Sequence, residues 1–373
     1  GEVIKGEVPL ISPTFTPETK QILSWADETR RLEVRANADT PEGAKLARKM
    51  GARGIGLCRT ERMFNAPDRL PIVRAMILAE NKKERMKALE KLLPLQKNDF
   101  KKILRIMHPL PVTIRLLDIP LHEFLPSPEE LSREIAYLKD FKEVMNSLRE
   151  FPHILQLLDP KLQVYLPPIE KFLDDINRKR YQHLSEKLIG EKISMLEKVR
   201  AMEEVNPMLG HRGVRLGITY PEIYDMQIRA IYEASAELIK EGIEIHPEIM
   251  VPQVCTAQEL KWVFGRVKKI AAEVEKKYNI KVPVKFGTMI EVVRACMRAG
   301  KLAEIAEFFS FGTNDLSQAT FSFSREDAEK KFLPLYTKRK ILQDNPFSIL
   351  DQKGVGRLMM IAIESVSYTH LRA

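Results

Sequence analysis

The chain has 373 residues, 44% hydrophobic and 30% charged, with a formal net charge of +9, the composition of a globular protein with a sizeable core. No run reaches the roughly 18 apolar residues that cross a bilayer, which argues against a membrane protein. Its lysines and arginines alternate with glutamates, as in Asn81–Leu92 and Glu191–Glu204, instead of gathering with aromatics on one face, which argues against a nucleic-acid partner.

In chain order, Gly1 stands without a preceding Met and reads as a cut within a longer protein. Residues 1–25, with Pro9, Pro13 and Pro17, read as an extended linker. Val34–Ala38 reads as a first strand. Thr40-Pro41-Glu42 then opens a helix to Met50, a capping hydroxyl followed by Pro at the first helical position. Further apolar runs follow at Gly54–Arg59 and Val112–Leu117. Residues 127–205 are charged, helical in pattern and without a strand, an insertion. Beyond it the spacing predicts a strand over part of Met208–Leu216 and others at Ile249–Val254, Val284–Ile290 and Phe308–Thr313. Helices are expected over Pro221–Lys240, Ala257–Lys277 and Val292–Ala306.

Near-continuous apolar strands separated by helices imply a parallel sheet covered on both faces. Arg59, Arg115, Glu291 and Asp315 all fall where an apolar run ends. An α/β barrel gathers such positions on one rim, whereas an open sheet binds only beside a switch point. The expected fold is therefore a (β/α)₈ barrel. Seven strands are found where the closed barrel needs eight, so the eighth is expected to be missing. The three cysteines, Cys58, Cys255 and Cys296, have no C-x-x-C spacing, which favours small core residues and a reducing, cytoplasmic compartment.

The rim residues suggest chemistry. A guanidinium fork suits phosphate oxygens bidentately, and Arg59 and Arg115 at one rim describe a clamp. Taken singly, each is equally explained by an ion pair with Glu61 or Asp118. Glu291 and Asp315, on successive strand ends beside Gly287 and Gly312, suit Mg²⁺, which takes one or two carboxylates plus substrate oxygens. Asn314-Asp315 also has the makings of a turn or helix cap. Arg212, between His211 and Gly213, is a third candidate anion ligand. His211 itself reads as a hydrogen-bonded structural residue.

Taken together, GLCRTERMF at 56–64, VTIRLLDIPLHEFLP at 112–126, NPMLGHRGVRLGITYPEIYDMQ at 206–227, GTMIE at 287–291 and FFSFGTNDLSQATFSFSRED at 308–327 resemble the enzymes that use phosphoenolpyruvate through a phosphohistidine. The segment KFLPLYTKRKILQDNPFSILDQKGVGRL is similar to the pyruvate, phosphate dikinase branch, and the resemblance covers residues 1–130 and 200–364. It implies a barrel, over residues 26–366 here, that binds pyruvate or phosphoenolpyruvate with Mg²⁺ and forms homodimers. By motif, Arg59 and Arg115 would hold the phosphoryl group and Arg212 would assist. Glu291 and Asp315 would hold Mg²⁺, and Gly312, Thr313 and Asn314 would line the substrate. The resemblance also places a swivelling phosphohistidine domain before Gly1, and a strand carrying a proton-transfer cysteine after about residue 364. Residues 367–373 match nothing in the family, so the chain alone is expected to be inactive. Two alternatives stay open, a phosphoenolpyruvate synthase-type domain and a binding-only fragment.

Overall fold

In the computed structural model, which describes residues 16–158, 171 and 181–370, six apolar runs lie side by side in chain order. They are β1 Ala36–Asn37, β2 Ile55–Arg59, β3 Pro111–Arg115, β4 His246–Val251, β5 Lys285–Ile290 and β6 Phe308–Phe311. Every pairing is parallel. The sheet is therefore an α/β half-barrel of the TIM type, and among the described residues β1 and β6 each have a single strand neighbour. Because parallel neighbours run the same way, all six carboxyl ends open on one mouth.

The strands are short, and the central ones, β3 to β5, are the most buried, with Val112, Ile114, Ile249, Met250, Val251 and Ile290 at or near zero exposure. Helices cover the sheet. The helix Pro221–Lys240 packs against both Lys82–Met107 and Ala257–Tyr278. It also fixes the chain just beyond β3. Gln227 Oε1 accepts the Leu117 N–H at 2.9 Å, and the Tyr224 hydroxyl donates to the Leu117 carbonyl at 3.1 Å. Asp118 follows directly. The helix Ala257–Tyr278 starts from a reciprocal capping box between Thr256 and Glu259, which satisfies donors that a bare helix end leaves orphaned.

Four expectations need correction. Met208–Leu216 contains no strand: Pro207–Leu209 is a 3₁₀ turn and Val214–Thr219 a short helix. Between them Gly213 sits at φ +58°, the left-handed region where a side chain is strained. Six strands, not seven, thus make the described sheet. The second correction concerns the extended linker, because Pro17–Thr29 is a helix, capped by the Thr16 hydroxyl with Pro at its first position. Residues 1–15 of that linker lie outside the described residues. The third is that Val292–Ala306 is two short helices, Val293–Met297 and Ala299–Ala303, broken at Arg298. The fourth is register: β4 begins and ends three residues earlier than its apolar run suggests.

The insertion is helical where it is described, over Pro128–Leu158 and Tyr181–Met202, and these two helices pack on each other. Val355–His370 forms a further helix against the 293–303 segment. It takes in residues 367–370.

Candidate functional site

The carboxyl ends of the strands surround a cavity of about 630 Å³, and all eight residues singled out from the sequence line it: Arg59, Arg115, Arg212, Glu291, Gly312, Thr313, Asn314 and Asp315. Arg59 and Arg115 close β2 and β3 and face each other in register. Glu291 follows β5, and Gly312 follows β6 with its N–H on the Ile290 carbonyl. Thr313, Asn314 and Asp315 open the helix Thr313–Phe321. Strand ends thus deliver every group but Arg212, which the 3₁₀ turn and Gly213 bring over the mouth.

The arginines differ in how free they are. Arg115 is 8% exposed, with Nη2 at 2.5 Å from Glu61 Oε1 and Nη1 at 3.1 Å from Asp118 Oδ2. Arg212 clasps Asp118 with two bonds, Nε to Oδ1 at 2.9 Å and Nη2 to Oδ2 at 2.8 Å. Its Nη2 also stands 3.5 Å from Asp315 Oδ2. Arg59 is looser. Its side chain is 30% exposed and stands 3.9 Å from Asp39, which is bound more firmly by the Arg59 main-chain N–H at 2.7 Å. Arg115 and Arg212 are preorganised by ion pairs, whereas the Arg59 fork retains its donors.

The acids form a second group. Asp118, Glu291 and Asp315 each place a carboxylate oxygen within 4.8 Å of the others. Glu291 is 2% exposed, and burial pushes its carboxyl well above the ordinary range, with Asp118 and Asp315 pushing further. Burial alone would loosen the proton on Arg115, but Asp118, Glu61 and Glu291 outweigh it and keep the guanidinium charged. A Cβ at Gly312 would stand 2.7 Å from Glu291 Oε2, so only glycine lets the chain pass so close. Around the cavity three guanidinium groups face five carboxyl groups, those of Glu61, Asp118, Glu123, Glu291 and Asp315. Glu61, Asp118 and Glu291 among them are buried, and such an excess of carboxylate is relieved by a proton or by a hard cation. All-oxygen donors at this spacing fit a divalent ion of the hard class. Glu291, Asp315 and Asp118 are the residues that could hold it.

Three contributors escaped the sequence reading of the site. Asp118 and Glu61 entered it only as possible ion-pair partners. Yet Asp118 closes an apolar run with a carboxylate, the same signal that marked Glu291. Gln253, which contacts both Glu291 and Asp315, was hidden inside a run expected to be an apolar strand. A buried amide there was the available clue. None of the three cysteines lines the cavity; Cys58 and Cys296 are buried and Cys255 is partly exposed.

The model of the family described as "PEP-utilising enzyme, PEP-binding domain" matches residues 16–369. The chain is 51% identical to the pyruvate, phosphate dikinase of Entamoeba histolytica over 367 residues, covering 97% of this chain and 36% of that protein. Against the chloroplastic pyruvate, phosphate dikinase 1 of Arabidopsis thaliana the identity is 45% over 364 residues, 98% of this chain and 33% of that protein. With the pyruvate, phosphate dikinase of Rhizobium meliloti it is 44% over 365 residues, 98% of this chain and 35% of that protein. The chain spans about a third of the length of the curated relatives it matches. With a parallel half-barrel, a charged mouth and this match over nearly its whole length, the chain belongs to the family of phosphoenolpyruvate-utilising enzymes, within their phosphoenolpyruvate-binding domain.

Proposed function

We propose that this chain is the part of a pyruvate, phosphate dikinase that holds pyruvate and phosphoenolpyruvate while a phosphoryl group moves to or from a phosphohistidine. That histidine belongs to a swivelling domain of the full-length protein, to which residues 1–25 would lead, with 26–366 as the barrel. The overall reaction would convert ATP, pyruvate and phosphate into AMP, phosphoenolpyruvate and diphosphate. The observation that carries the reading is the mixed charge of the mouth. A trianionic substrate meets more carboxylate than guanidinium there, an excess that a hard cation arriving with the substrate offsets.

Glu291 and Asp315 would hold Mg²⁺, with Asp118 beside them. Bound there, the ion supplies Lewis-acid stabilisation of the charge that develops on the pyruvate-derived oxygen. The protein's own groups do the rest. Arg59, the looser guanidinium, takes the phosphoryl oxygens with its free fork, and Arg115 presents a fixed positive charge from the neighbouring strand. Arg212 steadies Asp118 and Asp315. Gly312 and the first residues of the helix behind it, Thr313 and Asn314, let the chain lie close against the carboxylate end of the substrate. A cytoplasmic location and a homodimer complete the proposal, the former supported by three unpaired cysteines. Among the described residues no helix is long and apolar enough to cross a membrane.

In the full-length protein, Arg59→Lys keeps the charge but loses the bidentate fork. Phosphoryl transfer to pyruvate, followed by rapid quench, should fall by about two orders of magnitude, as for other donors to developing charge. Near-normal transfer in that variant would return Arg59 to a structural pairing with Asp39.

A further inference from the structure

Gln253 has a backbone that the fold does not relax. It is 4% exposed and stands at φ +58°, a left-handed conformation that a long side chain adopts only when its surroundings impose it. Those surroundings are identifiable. The Val214 N–H donates to the Pro252 carbonyl at 3.2 Å, which ties the turn carrying Arg212 to the residue before Gln253. The Gln253 side chain also lies so close to Gly213 that a Cβ there would stand 2.7 Å from its own Cβ.

The left-handed turn sends two donors of one residue to two different carboxylates. The Gln253 N–H donates to Glu291 Oε1 at 2.7 Å, and its side-chain Nε2 donates to Asp315 Oδ2 at 3.0 Å. The other Asp315 oxygen accepts from Gln318 Nε2 at 3.3 Å. An extended backbone at residue 253 would turn one of these donors away. The side-chain bond also gives the buried amide a partner that it would otherwise lack.

We infer that Gln253 is a positioning residue: it sets the spacing of the Glu291 and Asp315 carboxylates and thereby the size of divalent cation that the mouth accepts. The inference rests on the cation reading proposed above. Its physical basis is ligand mobility. Mg²⁺ and Mn²⁺ bind short, near-octahedral oxygen sets, whereas Ca²⁺ takes more oxygens at longer range from ligands free to swing. An Asp315 carboxylate held at both oxygens cannot swing to offer them together to a larger ion. Releasing the Gln253 end leaves Asp315 Oδ2 with only the longer Arg212 contact at 3.5 Å, which gives the carboxylate more room to swing and admits Ca²⁺.

The test uses the full-length protein without substrate. Free Mn²⁺ is followed by electron paramagnetic resonance, and bound Mn²⁺ is displaced with Mg²⁺ or Ca²⁺. Two variants remove the amide differently: Gln253→Leu keeps a side chain on the strained left-handed backbone, and Gln253→Gly relieves that strain, so their melting temperatures should diverge. Both should lose preference for Mg²⁺ over Ca²⁺ by about tenfold, the usual effect of removing a group that orients a metal ligand. Unchanged competition in both variants overturns the inference, as does a change that tracks melting temperature instead of the missing amide. Mn²⁺ that binds the wild type, is lost in Glu291→Ala and competes normally in the Gln253 variants overturns it alone. No Mn²⁺ on the wild type overturns the cation reading and this inference with it.

Discussion

Asp118 is the residue on which the charged mouth turns. Its side chain has no exposed surface and takes three guanidinium contacts, one from Arg115 and two from Arg212. Asp118→Asn removes the charge that both arginines face and leaves them desolvated without full compensation. Breaking a buried pair from one side costs about 3 kcal/mol or more, and urea unfolding of the variant should show a loss of that size. A loss under about 1 kcal/mol, the value of an exposed pair, would mean that water reaches the site. At this scale the sequence was most informative where a polar group interrupts an apolar pattern. Arg59, Arg115, Glu291 and Asp315 stood out because each closes a strand, and the cavity gathers all four. Which carboxylate each arginine chooses was not legible. Glu61 and Asp118 were alternatives for both, and the fold gives both to Arg115 and neither to Arg59. That choice depends on distances between strands, which no local pattern encodes.

At the scale of elements, the outer helices are held together by charge as well as by apolar packing. Glu237, on Pro221–Lys240, takes Lys97 at 2.9 Å and Lys101 at 2.7 Å from the helix Lys82–Met107. It also accepts the Tyr278 hydroxyl at 3.3 Å from the helix Ala257–Tyr278. Burial alone would raise its carboxyl, but the two ammonium groups win and bring it from 4.5 down to about 2. A depressed folded value means that the stabilisation is complete above the unfolded value of 4.5 and fades as pH falls toward 2. Stability measured between those pH values should therefore decline with acid, and Glu237→Gln should flatten that part of the curve. An unaltered slope in the variant would assign the acid sensitivity to other carboxylates. Most elements were legible from period and caps: the expected helix Pro221–Lys240 has those bounds in the fold. The helix Pro17–Thr29 carries Thr16-Pro17-Glu18, the same opening as Thr40-Pro41-Glu42. Three prolines in the first 17 residues masked it. Met208–Leu216 misled for the opposite reason, because Val214 and Leu216 are apolar and alternate while Gly213, at φ +58°, turns the backbone out of a strand.

At the scale of the whole molecule, the parallel half-barrel explains why Arg59 and Asp315, 256 positions apart, share one cavity. The fold class follows from the alternation of buried strands and helices, and that much was legible from the sequence. The number of strands was not, since a turn with apolar residues imitates one. The central claim is that this mouth takes an anion only together with a divalent cation held by Glu291 and Asp315. Calorimetric titration of oxalate, a mimic of the enolate of pyruvate, into the full-length protein tests it most directly. Binding is expected to require Mg²⁺ and to be lost in Glu291→Ala. Oxalate that binds equally well without Mg²⁺, or with unchanged affinity in that variant, would contradict it.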